Sequence, residues 1–309
     1  MFGNSVLTQQ TFSPNSLIFA SIQNFANDRR AKANTKRTIL YYEGELNLFS
    51  KWLIQKGYDA IPIEDITPNI LREYFLDLSG RRNKGGVHCS YRVIRAFFNW
   101  YWEEYDCYVK NPMKKVKIPN PKIQPLPEMP LADIQQILRV TSGKTKIRDI
   151  ALVKFLVDTG CRANECLSLN IGDISLVDNS VTILHGKGDK SRTTYFGKST
   201  KKALKDYLAT RNNINLDEPL FLNGKGNRLK FQGLRQRITN LCKLAGVKYR
   251  GLHAFRRTFG ITLYRKGVDI YSISRLLGHS SVEVTKRYLA VTNDDLKAVF
   301  VNSPADSLD

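Results

Sequence analysis

The sequence predicts a mainly α-helical chain with one small antiparallel β-sheet in its C-terminal part, divided into two domains. Three observations carry that reading. Apolar residues recur at helical spacing through most of the chain, as in Val87, Tyr91, Ile94, Phe98, Tyr101 and Tyr105. Two short β-rich runs, 180–184 and 193–196, flank Gly186-Lys187-Gly188-Asp189, the pattern of a hairpin with a glycine turn. Six of the eleven prolines lie from Pro112 to Pro130, interleaved with Lys114, Lys115, Lys117 and Lys122. Such a stretch is extended and semi-rigid, so it reads as an interdomain linker.

Residues 15–111 read as a bundle of about four helices. Leu46, Phe49 and Leu53 share one helix face, and the aromatics of 87–105 share another, which marks them as core. Two basic sets lie on this part: Arg29, Arg30, Lys32, Lys36 and Arg37, then Arg81, Arg82, Lys84, Arg92 and Arg95. The linker covers 112–130. The second domain covers 131–292, with helices expected from Asp133, over 150–156, 201–211, 231–244, 251–266, 270–277 and 282–289. Residues 293–309 form an acidic tail with a short helical candidate near Leu296–Val301.

Charge narrows the partner. The chain of 309 residues has 48 Lys+Arg against 28 Asp+Glu, a formal net charge of +20. Both parts share the excess: 18 basic against 12 acidic residues up to residue 128, and 30 against 16 beyond it. An excess of this size suits a polyanion, and nucleic acid fits better than a membrane surface because no helix pairs a basic face with a bulky apolar one. On this reading Arg29, Arg30, Lys36, Arg37, Lys84, Arg92, Arg95, Lys114, Lys115 and Lys117 are candidate DNA contacts. The competing reading for each is a solvated basic face. No apolar run approaches the ~18 residues of a membrane span, and no basic residue precedes Arg29 as a signal peptide would require. Five cysteines with no CxxC pair argue against a disulfide framework or a structural zinc site. A cytoplasmic, nucleoid-associated location is expected.

Three segments hold residue types suited to phosphoryl transfer. Thr159-Gly160-Cys161-Arg162-Ala163-Asn164-Glu165 puts an arginine after a glycine break. In Leu252-His253-Ala254-Phe255-Arg256, the histidine and arginine stand at i and i+3 on one helix face, anchored by Leu252, Phe255, Phe259 and Leu263. Leu276-Leu277-Gly278-His279 ends an amphipathic helix at a glycine C-cap and sets the histidine at a corner; Ser280-x-x-Glu283 reads as a capping box for the helix that carries Tyr288. Guanidiniums match the non-bridging oxygens of a phosphodiester, a tyrosine can attack phosphorus, and histidine and lysine can move the protons. So much fixed cation needs no metal, and no HExxH or P-loop is present. Singly, each residue has an ordinary explanation: a structural pair for Arg162 with Glu165, a packing role for Tyr288, a solvated turn for Lys187. Their joint occurrence in order is the signal.

That order resembles the tyrosine recombinases of the phage-integrase family. The matching positions are Arg162 with Glu165, Lys187 in its GKG turn, His253 with Arg256, and His279 followed nine residues later by Tyr288. The resemblance spans 15–300, strongly in the second domain. It implies a two-domain DNA clamp in which Tyr288 forms a 3′-phosphotyrosyl link. Arg162 and Arg256 would hold the phosphate, with Lys187 as general acid, His253 and His279 as proton and hydrogen-bond partners, and Glu165 in support. It implies no cofactor, a homotetramer on two sites with the 296–301 helix docking on a neighbour, and room for a partner recombinase or directionality factor. Arg257 departs from the family pattern, where histidine is common, and the short N-terminal stretch suggests no separate arm-binding domain. Two rivals stand beside recombination: nicking and resealing as in type IB topoisomerases, and DNA binding without catalysis.

Overall fold

The computed structural model describes residues 14–58, 61–121, 127–184, 191–211, 214–279 and 281–286. Four helices open the chain: α1 (Pro14–Ala31), α2 (Lys36–Gln55), α3 (Pro68–Arg81) and α4 (Lys84–Glu104). Local chemistry sets three of their starts. Thr35, Thr67 and Asn83 each accept, through the side-chain oxygen, a backbone N–H from the first turn that follows. The helical stripe of α4 is core as its spacing requires: Val87, Tyr91, Ile94, Phe98 and Tyr101 are buried, while Tyr105, beyond the last turn, is exposed. Phe49 of α2 meets Tyr74 of α3 and Phe98 of α4 edge to face, at centroid distances of 4.9 and 6.3 Å. Edge-to-face pairs of this kind stabilise by about 1 kcal/mol each beyond the area they bury.

The stretch read as an extended linker is packed at both ends. Pro112–Lys115 forms a 3₁₀ turn, and Pro112, Met113 and Val116 are buried against the four helices. Tyr91 donates its hydroxyl to the Val116 carbonyl at 3.0 Å, and Arg72 donates to the Lys115 carbonyl at 3.2 Å. Apolar side chains at 113 and 116, with these hydrogen bonds, hold this segment against the helices, which proline content alone does not reveal. At the far end Met129 is buried and exchanges two hydrogen bonds with the Thr258 hydroxyl, at 3.0 and 2.7 Å. The chain divides into two compact units, 1–123 and 124–309.

The second unit contains α5 (Leu131–Arg139), α6 (Lys146–Thr159) and α7 (Ala163–Ser168). A three-stranded antiparallel sheet follows, β1 (Ile174–Ser175), β2 (Ser180–Ile183) and β3 (Arg192–Tyr195), in the order β1-β2-β3. Val181 pairs with Thr194 and Ile183 with Arg192. The sequence reading anticipated β2 and β3 but not β1, a two-residue strand too short to show alternation. Then come α8 (Lys198–Leu208), α9 (Phe231–Leu244), α10 (His253–Arg265), α11 (Ile270–Leu277) and α12 (Val282–Lys286). Helix α6 is the spine of this unit: Ala151, Leu152, Phe155 and Leu156 are buried in one cluster with residues of the sheet, α8, α9 and α10. A smaller cluster of Phe259, Ile273 and Leu277 joins α10 to α11. No helix among the described residues is long and apolar enough to cross a membrane.

Candidate active site

Helix α6 stops at Gly160, whose φ of +61° is the left-handed C-cap conformation. A Cβ there would sit 2.5 Å from Phe259 Cδ1, so the position needs glycine for space as well as for backbone. Two residues on, Arg162 is extended and caps α7. Its backbone N–H donates to Glu165 Oε2 at 2.8 Å, the glutamate half of a capping box, and its guanidinium donates to Glu165 Oε1 at 2.7 Å. The pairing of Arg162 with Glu165 weighed in the sequence is therefore present.

Glu165 is the hub of the site. Arg192 of β3 grips both its oxygens, at 3.1 Å from Oε1 and 2.6 Å from Oε2. Arg256 Nη1 lies 3.9 Å from Oε2. Three guanidiniums thus surround one carboxylate, and the cluster keeps an excess of positive charge. Burial alone would raise the Glu165 pKa, but the hydrogen bonds from Arg192 and from the Arg162 N–H overcome it and hold it at about 2.

The three arginines are not equivalent. The Arg162 side chain is 34% exposed, that of Arg192 9% and that of Arg256 1%. Arg256, expected to hold phosphate, donates to the carbonyls of Gly160 (2.8 Å) and Leu277, fastening the end of α6 to the end of α11. His253, one turn earlier on α10, is exposed. Desolvation by the surrounding protein, then the charges of Arg256, Arg257 and Arg162, lower its pKa from 6.5.

His279 stands at the expected corner. Gly278 caps α11 with φ +64°, and the His279 backbone N–H donates to the Ser274 carbonyl at 3.0 Å. Its Nδ1 lies 2.7 Å from the Thr285 hydroxyl. Burial, then Arg256, Arg162 and Arg192, push its pKa down to about 3, so the ring is neutral at neutral pH. At the start of α12, Ser281 Oγ accepts the Glu283 N–H at 3.2 Å; Ser280, the expected cap, lies outside the described residues.

Beside these groups opens a cavity of about 800 Å³, lined among others by Arg162, Asn164, Phe231, Arg235, Tyr249 and His253. Among the described residues no three His, Cys, Asp or Glu side chains converge as metal ligands would. Lys187, Tyr288 and the 296–301 segment lie outside the described residues. The structure thus brings together Arg162, Glu165, His253, Arg256 and His279, and adds Arg192, which the sequence reading missed. The sequence holds no local signal for it, because only the fold shows which face of β3 is buried. Arg192 shares the inward face of β3 with buried Thr194 while Thr193 and Tyr195 face out, and a charge on a buried face requires a partner. Arg257, the departure from the family pattern, points elsewhere: its Nε donates to the Pro127 carbonyl at 3.0 Å.

The candidate DNA contacts sort into two groups. Lys36, Arg37, Lys84, Arg92, Arg95, Lys114, Lys115 and Lys117 are exposed. Arg30 is exposed as well but is engaged by Glu43 and Asn27, both at 2.7 Å, and the half-buried Arg29 pairs with Asp28 at 2.7 Å while lying over the Phe25 ring. The Arg30–Glu43 pair joins α1 to α2, whereas the contacts of Arg29 stay within α1.

The model of the phage integrase family matches residues 128–294, more than half of the chain. The chain belongs to the phage integrase family. A tyrosine recombinase XerC of Treponema denticola is 30% identical over 287 residues, covering 86% of this chain and 92% of the relative. A second XerC, of Thermodesulfovibrio yellowstonii, is 30% identical over 291 residues, with 89% and 92% covered. Among solved structures, the XerH site-specific recombinase bound to a palindromic difH substrate superposes with a TM-score of 0.75 at 20% identity, covering 97% of this chain and 99% of that one. The Tn1549 transposon integrase in complex with transposon right end DNA gives 0.73 at 19% identity, covering 91% and 98%. These two likenesses establish the mainly helical tyrosine recombinase fold with its small antiparallel sheet.

Proposed function

We infer that this family member carries out site-specific recombination on double-stranded DNA through a 3′-phosphotyrosyl intermediate formed by Tyr288. The observation that carries the reading is the convergence of Arg162, Arg192 and Arg256 on one carboxylate beside His253 and His279, both held toward the neutral form. Such a site has charge to offer a phosphodiester and neutral imidazoles to handle its protons. The Tyr288 oxygen attacks phosphorus, and its proton passes to His253. The P–O5′ bond breaks as the new P–O bond forms, and Lys187 protonates the leaving 5′ oxygen. One ester replaces another, so the reverse attack by a 5′ hydroxyl reseals the strand without ATP or a cofactor. Arg162 reaches the phosphate from the cavity wall and Arg256 contributes from the buried side. If the Thr285 hydroxyl donates to Nδ1 of His279, the ring proton resides on Nε2, where it can bond a phosphate oxygen. Glu165 orients the guanidiniums.

Lys36 and Lys84 begin α2 and α4, at helix ends where the backbone dipole disfavours cations. We assign these, with Arg37, Arg92, Arg95, Lys114, Lys115 and Lys117, to the DNA backbone. A tetramer on two sites, a partner recombinase or directionality factor, a nucleoid location and the division into a DNA-binding unit, a Pro/Lys-rich strap and a catalytic unit belong to the same proposal.

The test is a covalent-adduct assay. The protein and Tyr288→Phe are incubated in EDTA with nicked duplexes spanning the flanking genomic DNA and run on denaturing gels. A wild-type protein–DNA band absent from the variant is the expected result. Intact binding with no adduct on any fragment would overturn the catalytic reading.

A further inference from the structure

We propose that Arg192 is a positioning residue for strand cleavage: its one guanidinium locks the Glu165 carboxylate and pins the chain just ahead of the His279 corner. This rests on the recombinase reading of the site.

Three donors of Arg192 point in two directions. Nη1 and Nη2 grip the two Glu165 oxygens, and Nε donates to the Leu276 carbonyl at 3.1 Å. Leu276 lies on the last turn of α11, three residues before His279. The side chain is too buried to serve as a surface phosphate contact, in contrast to Arg162. Its role is therefore exerted through other residues. Glu165 holds the guanidinium and the backbone N–H of Arg162, so fixing the carboxylate fixes that arginine. Fixing the Leu276 carbonyl fixes the end of the helix from which His279 departs.

The corner is built around this side chain. A Cβ added to Gly278 would lie 2.6 Å from Arg192 Cδ and 2.9 Å from both Nε and Nη1. Glycine at 278 thus leaves the space that the arginine occupies, besides adopting φ +64°. Arg192 also opens β3, pairing with Ile183 across the hairpin whose intervening sequence contains Lys187. Through its guanidinium Arg192 joins the Arg162 segment to the histidine corner, and through its backbone it pairs with β2. Lysine cannot replace it, since a single ammonium lacks the planar fork that reaches two carboxylate oxygens and a carbonyl together.

The experiment uses the full chain with Arg192→Lys and Arg192→Gln. Single-turnover cleavage of a nicked duplex is measured at saturating protein, with the Kd for the same DNA and the His279 ring resonances of the free protein. Loss of alignment predicts cleavage slower by about 10- to 100-fold in both variants. The Kd should stay within about twofold, because no phosphate contact is lost. The His279 resonances should move in both variants, whereas its titration should rise only in Arg192→Gln, which removes the charge. Cleavage at the wild-type rate in Arg192→Lys overturns the proposal, as does a Kd that rises in parallel with the loss of rate. If Arg192→Gln does not fold, Arg192→Lys decides alone. If the wild type itself forms no adduct, the recombinase reading fails, and unmoved His279 resonances in Arg192→Lys would overturn the positioning role by themselves.

Discussion

Glu165→Gln isolates the hub of the site. Glutamine keeps the shape but removes the charge that faces Arg162, Arg192 and Arg256. Holding this carboxyl at about 2 instead of 4.5 corresponds to about 3 kcal/mol of folding stability at neutral pH. Buried pairs that lose one partner generally lose about 3–5 kcal/mol, a figure of the same order. The assay can be confined to the right unit. All three tryptophans, Trp52, Trp100 and Trp102, lie in the first unit, so tryptophan fluorescence reports only that unit while far-UV circular dichroism reports both. In urea the dichroism transition of the second unit should move to lower denaturant, and the fluorescence transition should not. The pH dependence has a definite sign. A carboxyl with a depressed folded pKa contributes stability above its unfolded value and loses it as pH falls, so the gap between wild type and variant should close from pH 4.5 toward 2. Equal dichroism midpoints at neutral pH, or a gap that does not shrink on acidification, would refute the hub.

Gly160→Ala should destabilise the second unit by about 1–3 kcal/mol, measured by the same dichroism transition, because a Cβ at φ +61° would press within 2.5 Å of Phe259. In nuclear magnetic resonance of the free protein, the ring of His279, assigned by His279→Asn among the chain's four histidines, should not titrate between pH 5 and 8, since its pKa lies near 3; a midpoint near 6.5 would contradict the buried cationic surroundings. The same depression means that stability falls as pH drops from 6.5 toward 3, where the unfolded chain binds a proton that the folded ring refuses. Replacing Arg92 and Arg95 together by alanine should lower the slope of log affinity for duplex DNA against log salt by about 0.9 per lost phosphate contact. An unchanged slope would show that the exposed face of α4 does not meet the backbone.

Much of the molecule was legible in the residues alone because its signals are local. Helices α9 and α11 run over the residues their apolar spacing indicates, since a 3.6-residue period needs no partner to be seen. The corners at Gly160 and Gly278 were legible because a left-handed cap favours glycine, and that alone placed Arg162 and His279 just after helix ends. The family was legible because six residues at fixed spacings carry it. Tertiary structure decided what depends on contacts between distant segments. The hub of Glu165 joins residues 27 and 91 positions apart in sequence, and no periodicity reports such a meeting. The burial of Arg256, the turning of Arg257 toward Pro127 and the folding back of Pro112–Lys115 follow from packing partners absent from the local pattern. A sequence sets which side chains want partners; only the folded chain, by bringing charge and carbonyl within about 3 Å at low dielectric, decides which partners they find.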